Sequence, residues 1–324
     1  MRNIYITQNG DLEKKGNTLV FSNEETKKVL PVKDVDVIYA FSEVNFNTKL
    51  LEFLTKNEIP VFFYNYYSYY IGTYSPRQEN LSGKLLVEQT KHYYEDEKRI
   101  VLAKEFLRGA IHNMRKTMMQ YGLEKESDRF SNKLKELDRF RDVKKLLLFE
   151  AEVRQYYYRQ FNKITKDDQF KFVKRVRNPP DNYINTLISF GNSLLYTTCL
   201  SEILKTQLDP RISYLHEPFE RRYSLNLDIS EIFKPLIVDR VIFNLINKNM
   251  LKEEHFDKQL NYCYLNKEGR NVFLKEFDSK LKSTLKYPGL NRSVSYKYML
   301  RLECHKIIKH LLEGADYKSF RIYW

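Results

Sequence analysis

Cysteine is scarce: Cys199, Cys263 and Cys304 are three among 324 residues, far apart and without a CxxC spacing. That argues against a disulfide framework and a structural zinc site, and points to buried, reduced thiols. Long apolar runs are missing as well. None approaches the roughly 20 residues that cross a bilayer, and the opening MRNIYITQNGDLEKKG turns polar within ten residues. Neither a membrane span nor a signal peptide is expected, and the expected location is cytoplasmic. There is no repeat of fixed period and no low-complexity tract, which sets solenoids and disorder aside.

What is present suits a globular chain. Apolar residues make up 42% and aromatics 15%, enough for the core of one large domain or two ordinary ones. The net charge is +13, and it is unevenly placed. Residues 1–77 hold nine Lys/Arg and nine Asp/Glu, so of the 55 basic and 42 acidic residues, 46 and 33 fall after residue 77. All the excess positive charge lies in that later part, where it raises the local concentration of polyanions such as nucleic acid. A basic but indifferent surface fits the same count.

The two parts also differ in pattern. In NIYITQNGDLEKKGNTLVFSN, β-prone runs are joined by polar turns at Asn9-Gly10 and Gly16-Asn17, and VDVIYAF and IPVFFYNYYSYYIGTYSP continue that character. Between them, NTKLLEFLTKNE has helical spacing. The aromatic run of residues 62–74 suits a base-stacking platform or a strand core, and is read as scaffold. Ser75-Pro76 and RQENLSGK mark a boundary. Beyond it helices dominate, with Gly122 placed to end one and further helical stretches through SYKYMLRLECHKIIKHLLEG. The expected fold class is α+β, a small β-rich N-terminal domain (1–77) followed by a larger all-α domain (78–324).

One short stretch carries chemistry. In LHEPFERRYSLNLDISEIFKP, residues 215–235, Asp228 and Glu231 are three apart on an expected helix and so share a face, while the turn around LHEP can bring His216 over it. An imidazole nitrogen and two carboxylates suit a divalent ion with positions left for water and phosphate. A third firm ligand is needed. In LLLFEAEVRQYYYR, Glu150 follows four apolar residues and sits where the helix meets protein, whereas Glu152 projects from another face. A carboxylate at that margin is costly unless paired or bound to metal, and a surface glutamate paired with Lys145 or Arg154 fits the same pattern. His92, His112, His255, His305 and His310 lie on stretches rich in Lys and Glu; His216 alone comes with a nearby acidic pair.

Taken together, LFEAEVRQYYY, NPPDNYINTLISFGNSLLY, LDPRISYLHEPFERRYSLNLDISEIFKPLIVDRVIF and YKYMLRLECHKIIKHLLEGADYKSF resemble, in that order and over nearly the full length, the CRISPR-associated integrase of the spacer-acquisition module, a metal-dependent DNase. The start adds IPVFFYNYYSYYIGTYSP, which looks like that family's last sandwich strands. The resemblance places the family's metal-binding glutamate on Glu150 rather than Glu152, its histidine on His216 and its second acidic ligand on Glu231, with Asp228 the supporting carboxylate. Ala151 stands where the family usually has glycine, which a helix tolerates.

The resemblance implies a β-sandwich-like first domain for dimerisation and a helical catalytic and DNA-binding second domain. It also implies joining of captured DNA fragments, as new spacers, to the CRISPR repeat by 3′-OH transesterification, and cutting of DNA when water is the nucleophile. The cofactor is Mg²⁺ or Mn²⁺; mixed imidazole and carboxylate donors suit manganese in vitro, with magnesium expected in the cell. The partners are double-stranded DNA (prespacer fragments and the repeat and leader), a second copy of the chain, and a small companion protein. Phosphate contacts are expected from Lys171, Lys174, Arg175 and Arg177 in KFVKRVRNPP and from Arg221 and Arg222 in ERRY, each of which also fits a solvated face. Tyr157 and Tyr158 suit stacking on a base or packing in the core, and are read as core residues. Two other classes compete: a basic helical nucleic-acid-binding scaffold with a structural acidic cluster, and a nuclease that processes RNA.

Overall fold

The computed structural model describes residues 2–77, 81–177, 179–218, 223–260, 262–287 and 289–323. The chain forms two compact units, residues 1–79 and 80–324.

The first unit runs β1 (Arg2–Ile6), β2 (Gly10–Lys15), β3 (Thr18–Ser22), β4 (Lys27–Pro31), β5 (Val35–Ala40), β6 (Val44–Asn45), α1 (Thr48–Lys56), β7 (Val61–Tyr64) and β8 (Tyr70–Tyr74). Two four-stranded sheets result, ordered β1-β5-β7-β8 and β4-β3-β2-β6. In the first, β1, β5 and β7 are parallel and β8 returns antiparallel. VDVIYA reads as an almost unbroken apolar run because β5 is a central strand, buried at nearly every position. In KKVLP, Lys27, Lys28 and the closing Pro31 suit β4 to a sheet edge, where they discourage further pairing. Gly16, with φ +57°, makes the tight turn between β2 and β3. Asn9-Gly10 does different work, carrying the chain from one sheet to the other.

Both sheets and α1 share one core, built from Ile6, Leu19, Phe21, Ile38, Leu50 and Leu54 among others. Asn47 starts α1 by accepting the Leu50 N–H at 2.9 Å. The aromatic run of residues 62–74 divides. Phe62 stacks on Tyr39 and Tyr64 on Phe41 in the interior, whereas Tyr66, Tyr67 and Ile71 face solvent.

The second unit runs α2 (Gly83–Tyr94), α3 (Asp96–Gln120), α4 (Glu124–Glu136), α5 (Val143–Arg159), α6 (Phe161–Thr165), α7 (Tyr183–Ile203), α8 (Leu225–Phe233), α9 (Val238–Asn247), β9 (Phe256–Gln259), β10 (Tyr262–Leu265), α10 (Lys267–Lys282), β11 (Thr284–Lys286), β12 (Ser293–Ser295) and α11 (Tyr296–Glu313). The all-α expectation is corrected by the two-stranded ladders β9–β10 and β11–β12. Strands of three or four residues are too short to show an alternating pattern. The helical stretch after residue 84 also breaks, at Glu95 with ψ 99°. No Gly or Pro marks that break; the acidic run 95–97 instead gains by standing at a new helix N-terminus. Gly122, at φ +74°, ends α3 as its sequence position predicts.

Cys199, Cys263 and Cys304 are all buried and free. Among the described residues, no helix is long and apolar enough to cross a membrane.

One half-buried cation gives this unit a pH dependence. Lys280 on α10 lies 4.0 Å over the ring of Tyr296. Burial first, and the nearby Arg240 second, push its amine from the ordinary 10.5 down to about 7. Between those two values the unfolded chain binds a proton that the folded chain does not, so this lysine makes stability rise with pH across that window. Lys280→Met should stabilise the protein at pH 7 by about 1 kcal/mol and flatten the rise seen in the wild type. Urea midpoints at pH 7 and pH 9 test it, and parallel changes in the two proteins would sink it.

Candidate metal centre

The centre lies within the second unit, where α5, the 213–217 segment and α8 meet. Asp142 starts α5 by accepting the Lys145 N–H at 2.8 Å. Leu146, Phe149, Val153 and Tyr157 then follow at helical spacing and form its buried face. Glu150 and Arg154, four apart, lie along the flank of that face, with Arg154 Nε 3.3 Å from Glu150 Oε1. Glu152 points elsewhere, 3.0 Å from Lys133 Nζ. Tyr157 and Tyr158 are buried and packed on Phe161, as core residues.

The histidine segment is pinned from several sides. Asp228, fully buried on α8, accepts the N–H groups of Tyr214 and Leu215 on Oδ2 at 2.7 and 3.0 Å. Its Oδ1 accepts the His216 N–H at 3.0 Å and the ring Nδ1–H at 2.7 Å. A carboxylate only accepts, so Nδ1 carries the hydrogen and Nε2 is the ring nitrogen left to ligate. On the other flank, Arg99 of α3 donates to the Tyr214 carbonyl at 2.9 Å and to Glu217 at 2.9 Å. Ser213 Oγ donates to the His216 carbonyl at 2.6 Å. Asn113 of α3 donates to the Ile232 carbonyl at 2.9 Å, fixing the end of α8.

Glu231, one turn beyond Asp228, is buried between two cations. Arg154 Nη2 donates to its Oε2 and Lys234 Nζ to its Oε1. Burial alone would raise its carboxyl, but Lys234, Arg154 and His216 together hold it down at about 2. Burial likewise disfavours the His216 imidazolium, yet the Asp228 hydrogen bond and charge, with Glu231 behind them, keep its pKa above the ordinary value.

Arg154 thus joins the two glutamates, 150 and 231, that the resemblance puts in one site. Asp239, at the start of α9, is buried within electrostatic reach of Arg154, Lys234 and Glu231. Burial pushes its carboxyl up to about 7 against the opposing pull of Arg154 and Lys234. The Tyr157 hydroxyl lies near enough to Asp239 to act as a donor that lowers the pKa of its carboxyl, but the pair falls short of ordinary hydrogen-bond geometry, and Nη1 of Arg154 likewise has no partner.

Among the described residues, no three His, Cys, Asp or Glu side chains stand arranged around one point to hold a metal ion. The guanidinium of Arg154 engages both Glu150 and Glu231, while Lys234 holds the other oxygen of Glu231. The donors still fit by type: an imidazole nitrogen and two carboxylates, with both carboxylates already converging on one positive charge.

The basic residues divide. Lys171, Lys174 and Arg177 are exposed. Arg175 is turned inward, its guanidinium donating to the Val176 carbonyl and, at 2.8 Å, to Ser189 Oγ, so it ties its segment to α7. Arg221 and Arg222 lie outside the described residues. Three residues of the centre have no role in the sequence reading: Arg154 beyond a surface pairing, Lys234, and Asp239. Spacing held the signal for two of them, Arg154 four after Glu150 and Lys234 three after Glu231.

The family described as CRISPR associated protein Cas1 matches residues 4–279. A relative from Thermodesulfovibrio yellowstonii, named CRISPR-associated endonuclease Cas1 3, is 47% identical over the whole of both chains. A solved Cas1 protein from Thermotoga maritima is 39% identical, with a TM-score of 0.91 over 99% of this chain and all of that one. A casposase bound to integration product shares the fold, with a TM-score of 0.86 at 21% identity over 100% of this chain and 95% of its own. The chain therefore belongs to the Cas1 family of CRISPR-associated proteins.

Proposed function

We propose that the chain is a divalent-metal-dependent DNA nuclease and integrase that joins captured DNA fragments to the CRISPR repeat through attack by a 3′ hydroxyl. The observation that carries the reading is the convergence of Glu150 and Glu231, from separate helices, on one buried positive charge beside His216. Glu150, His216 through Nε2, and Glu231 would hold Mg²⁺ or Mn²⁺, which when bound withdraws charge from a phosphodiester oxygen and stabilises the negative charge that develops at phosphorus.

The protein's own part is positional. Asp228 fixes the His216 ring and its tautomer and holds the surrounding backbone. Lys171, Lys174 and Arg177, exposed on the basic unit, would contact phosphates without reading sequence. The same role is proposed for Arg221 and Arg222 and, less favourably given its bonds, for Arg175. The nucleophile sets the outcome: a 3′ hydroxyl gives joining, water gives cutting. The first unit, with two sheets on one core, suits a sandwich-like scaffold for a homodimer, and a small companion protein would complete the integrating complex.

The internal neutralisation of the acidic cluster by Arg154 and Lys234 favours a second reading, a basic nucleic-acid-binding scaffold. Incubation of the protein with short double-stranded DNA carrying free 3′ ends and a repeat-containing plasmid, with Mn²⁺ or with a chelator, separates the two. Joined and cut strands that appear only with Mn²⁺ are expected. Binding that ignores the metal, with no strand chemistry, would leave the scaffold.

A further inference from the structure

We infer that Arg154 stands in for the divalent cation while the site is metal-free, and that Asp239 is the positioning residue that takes its guanidinium when the cation arrives. The inference rests on the metal-centre reading above and concerns how that centre exchanges one positive charge for another.

Both oxygens of Glu231 are in use, Oε2 by Arg154 and Oε1 by Lys234, and Glu150 is engaged by the same guanidinium. A divalent ion cannot share this carboxylate pair with Arg154, because the two charges repel and compete for the same lone pairs. Lys234 caps the C-terminal end of α8, three residues after Glu231. Arg154 belongs to another helix, α5, has the longer reach, and bridges both carboxylates, so it is the cation that must move.

A displaced guanidinium cannot be left buried without a counter-charge. Among the described residues, Asp239 is a carboxylate suited to receive it. Asp239 is buried, is close enough to Arg154 for their charges to act on one another, and has no hydrogen-bond partner on either carboxylate oxygen. Nη1 of Arg154 is buried and unpartnered as well. An unpaired carboxyl in such surroundings is costly, and a two-armed guanidinium is the group best shaped to satisfy it. A buried donor and a buried acceptor, both without partners and near enough for their charges to act on one another, are what a two-position arginine requires.

The test measures Mn²⁺ affinity of the full chain by calorimetry, without DNA and at fixed ionic strength. Asp239→Asn should weaken Mn²⁺ binding by about tenfold, because Arg154 then stays on the glutamates. Arg154→Gln should tighten it by about tenfold, and adding Asp239→Asn to Arg154→Gln should change nothing further. An Asp239→Asn effect within twofold, or one of equal size without Arg154, would overturn the inference, since loss of a distant negative charge explains the latter. Should Arg154→Gln fail to fold, the Mn²⁺-soaked wild-type protein decides the question. Arg154 nitrogens about 3 Å from Asp239 oxygens support the inference; a guanidinium still between Glu150 and Glu231 beside the bound ion refutes it. Absence of any Mn²⁺ binding that depends on Glu150 and His216 is a different result, and overturns the metal-centre reading and the inference together.

Discussion

Glu150→Gln and His216→Ala should each lower metal-dependent joining and cutting of DNA about a thousandfold while leaving the protein folded. The size follows from the Lewis-acid contribution of a bound divalent ion, several kcal/mol at about 1.4 kcal/mol per tenfold in rate. The folded state should survive because neither side chain is deeply committed to the core. Glu150 meets Arg154 at 3.3 Å, and that arginine keeps its second carboxylate in Glu231. His216 is partly exposed and its main partner, Asp228, retains three backbone donors. Thermal midpoints near the wild-type value, together with lost strand chemistry, are the expected pair of results. Full activity in either variant would remove the site.

Glu231→Gln is a poorer test of the same idea. It strips the counter-charge from two buried cations, Arg154 and Lys234, and breaking a buried pair in this way typically costs about 3–5 kcal/mol. Its inactivity would report unfolding as readily as lost chemistry.

Local features were legible where a single element carries the signal. The i, i+3 spacing of Asp228 and Glu231 falls on α8, and Gly122 ends α3. Glu150 could be chosen over Glu152 only through the family resemblance, and the structure gives the two glutamates different surroundings, one beside Arg154 and the other among surface lysine and arginine. What pattern could not supply is the arrangement between elements. Arg154 and Glu231 are 77 residues apart, and no periodicity in either helix says that they meet. Asp239 was equally hidden, since an acidic residue in the first turn of an amphipathic helix ordinarily complements the helix dipole at the surface, yet here it is buried. The short ladders β9–β10 and β11–β12 form by pairing, which three or four residues do not announce.

Asp228→Asn, although nearly the same shape, should cost about 2–4 kcal/mol of stability and lower strand joining a further way, by about 10–100-fold through misplacement of the histidine. Each carboxylate oxygen of Asp228 faces two donors: the N–H groups of Tyr214 and Leu215 on Oδ2, the N–H and Nδ1–H of His216 on Oδ1. An amide has one oxygen. If it serves Tyr214 and Leu215, its NH₂ confronts both donors of His216; if it turns over, the NH₂ confronts the other two. Either way buried donors face a donor, and the 213–216 turn must loosen or the imidazole must switch tautomer so that Nδ1 accepts, which puts the hydrogen on Nε2, the atom required as a ligand. Asp228→Ala leaves all four donors without a partner and should cost more than Asn. Urea midpoints for the two variants, with strand joining measured well below each midpoint, test the ordering. Wild-type stability and joining in Asp228→Asn would show that the histidine is held by something other than this carboxylate.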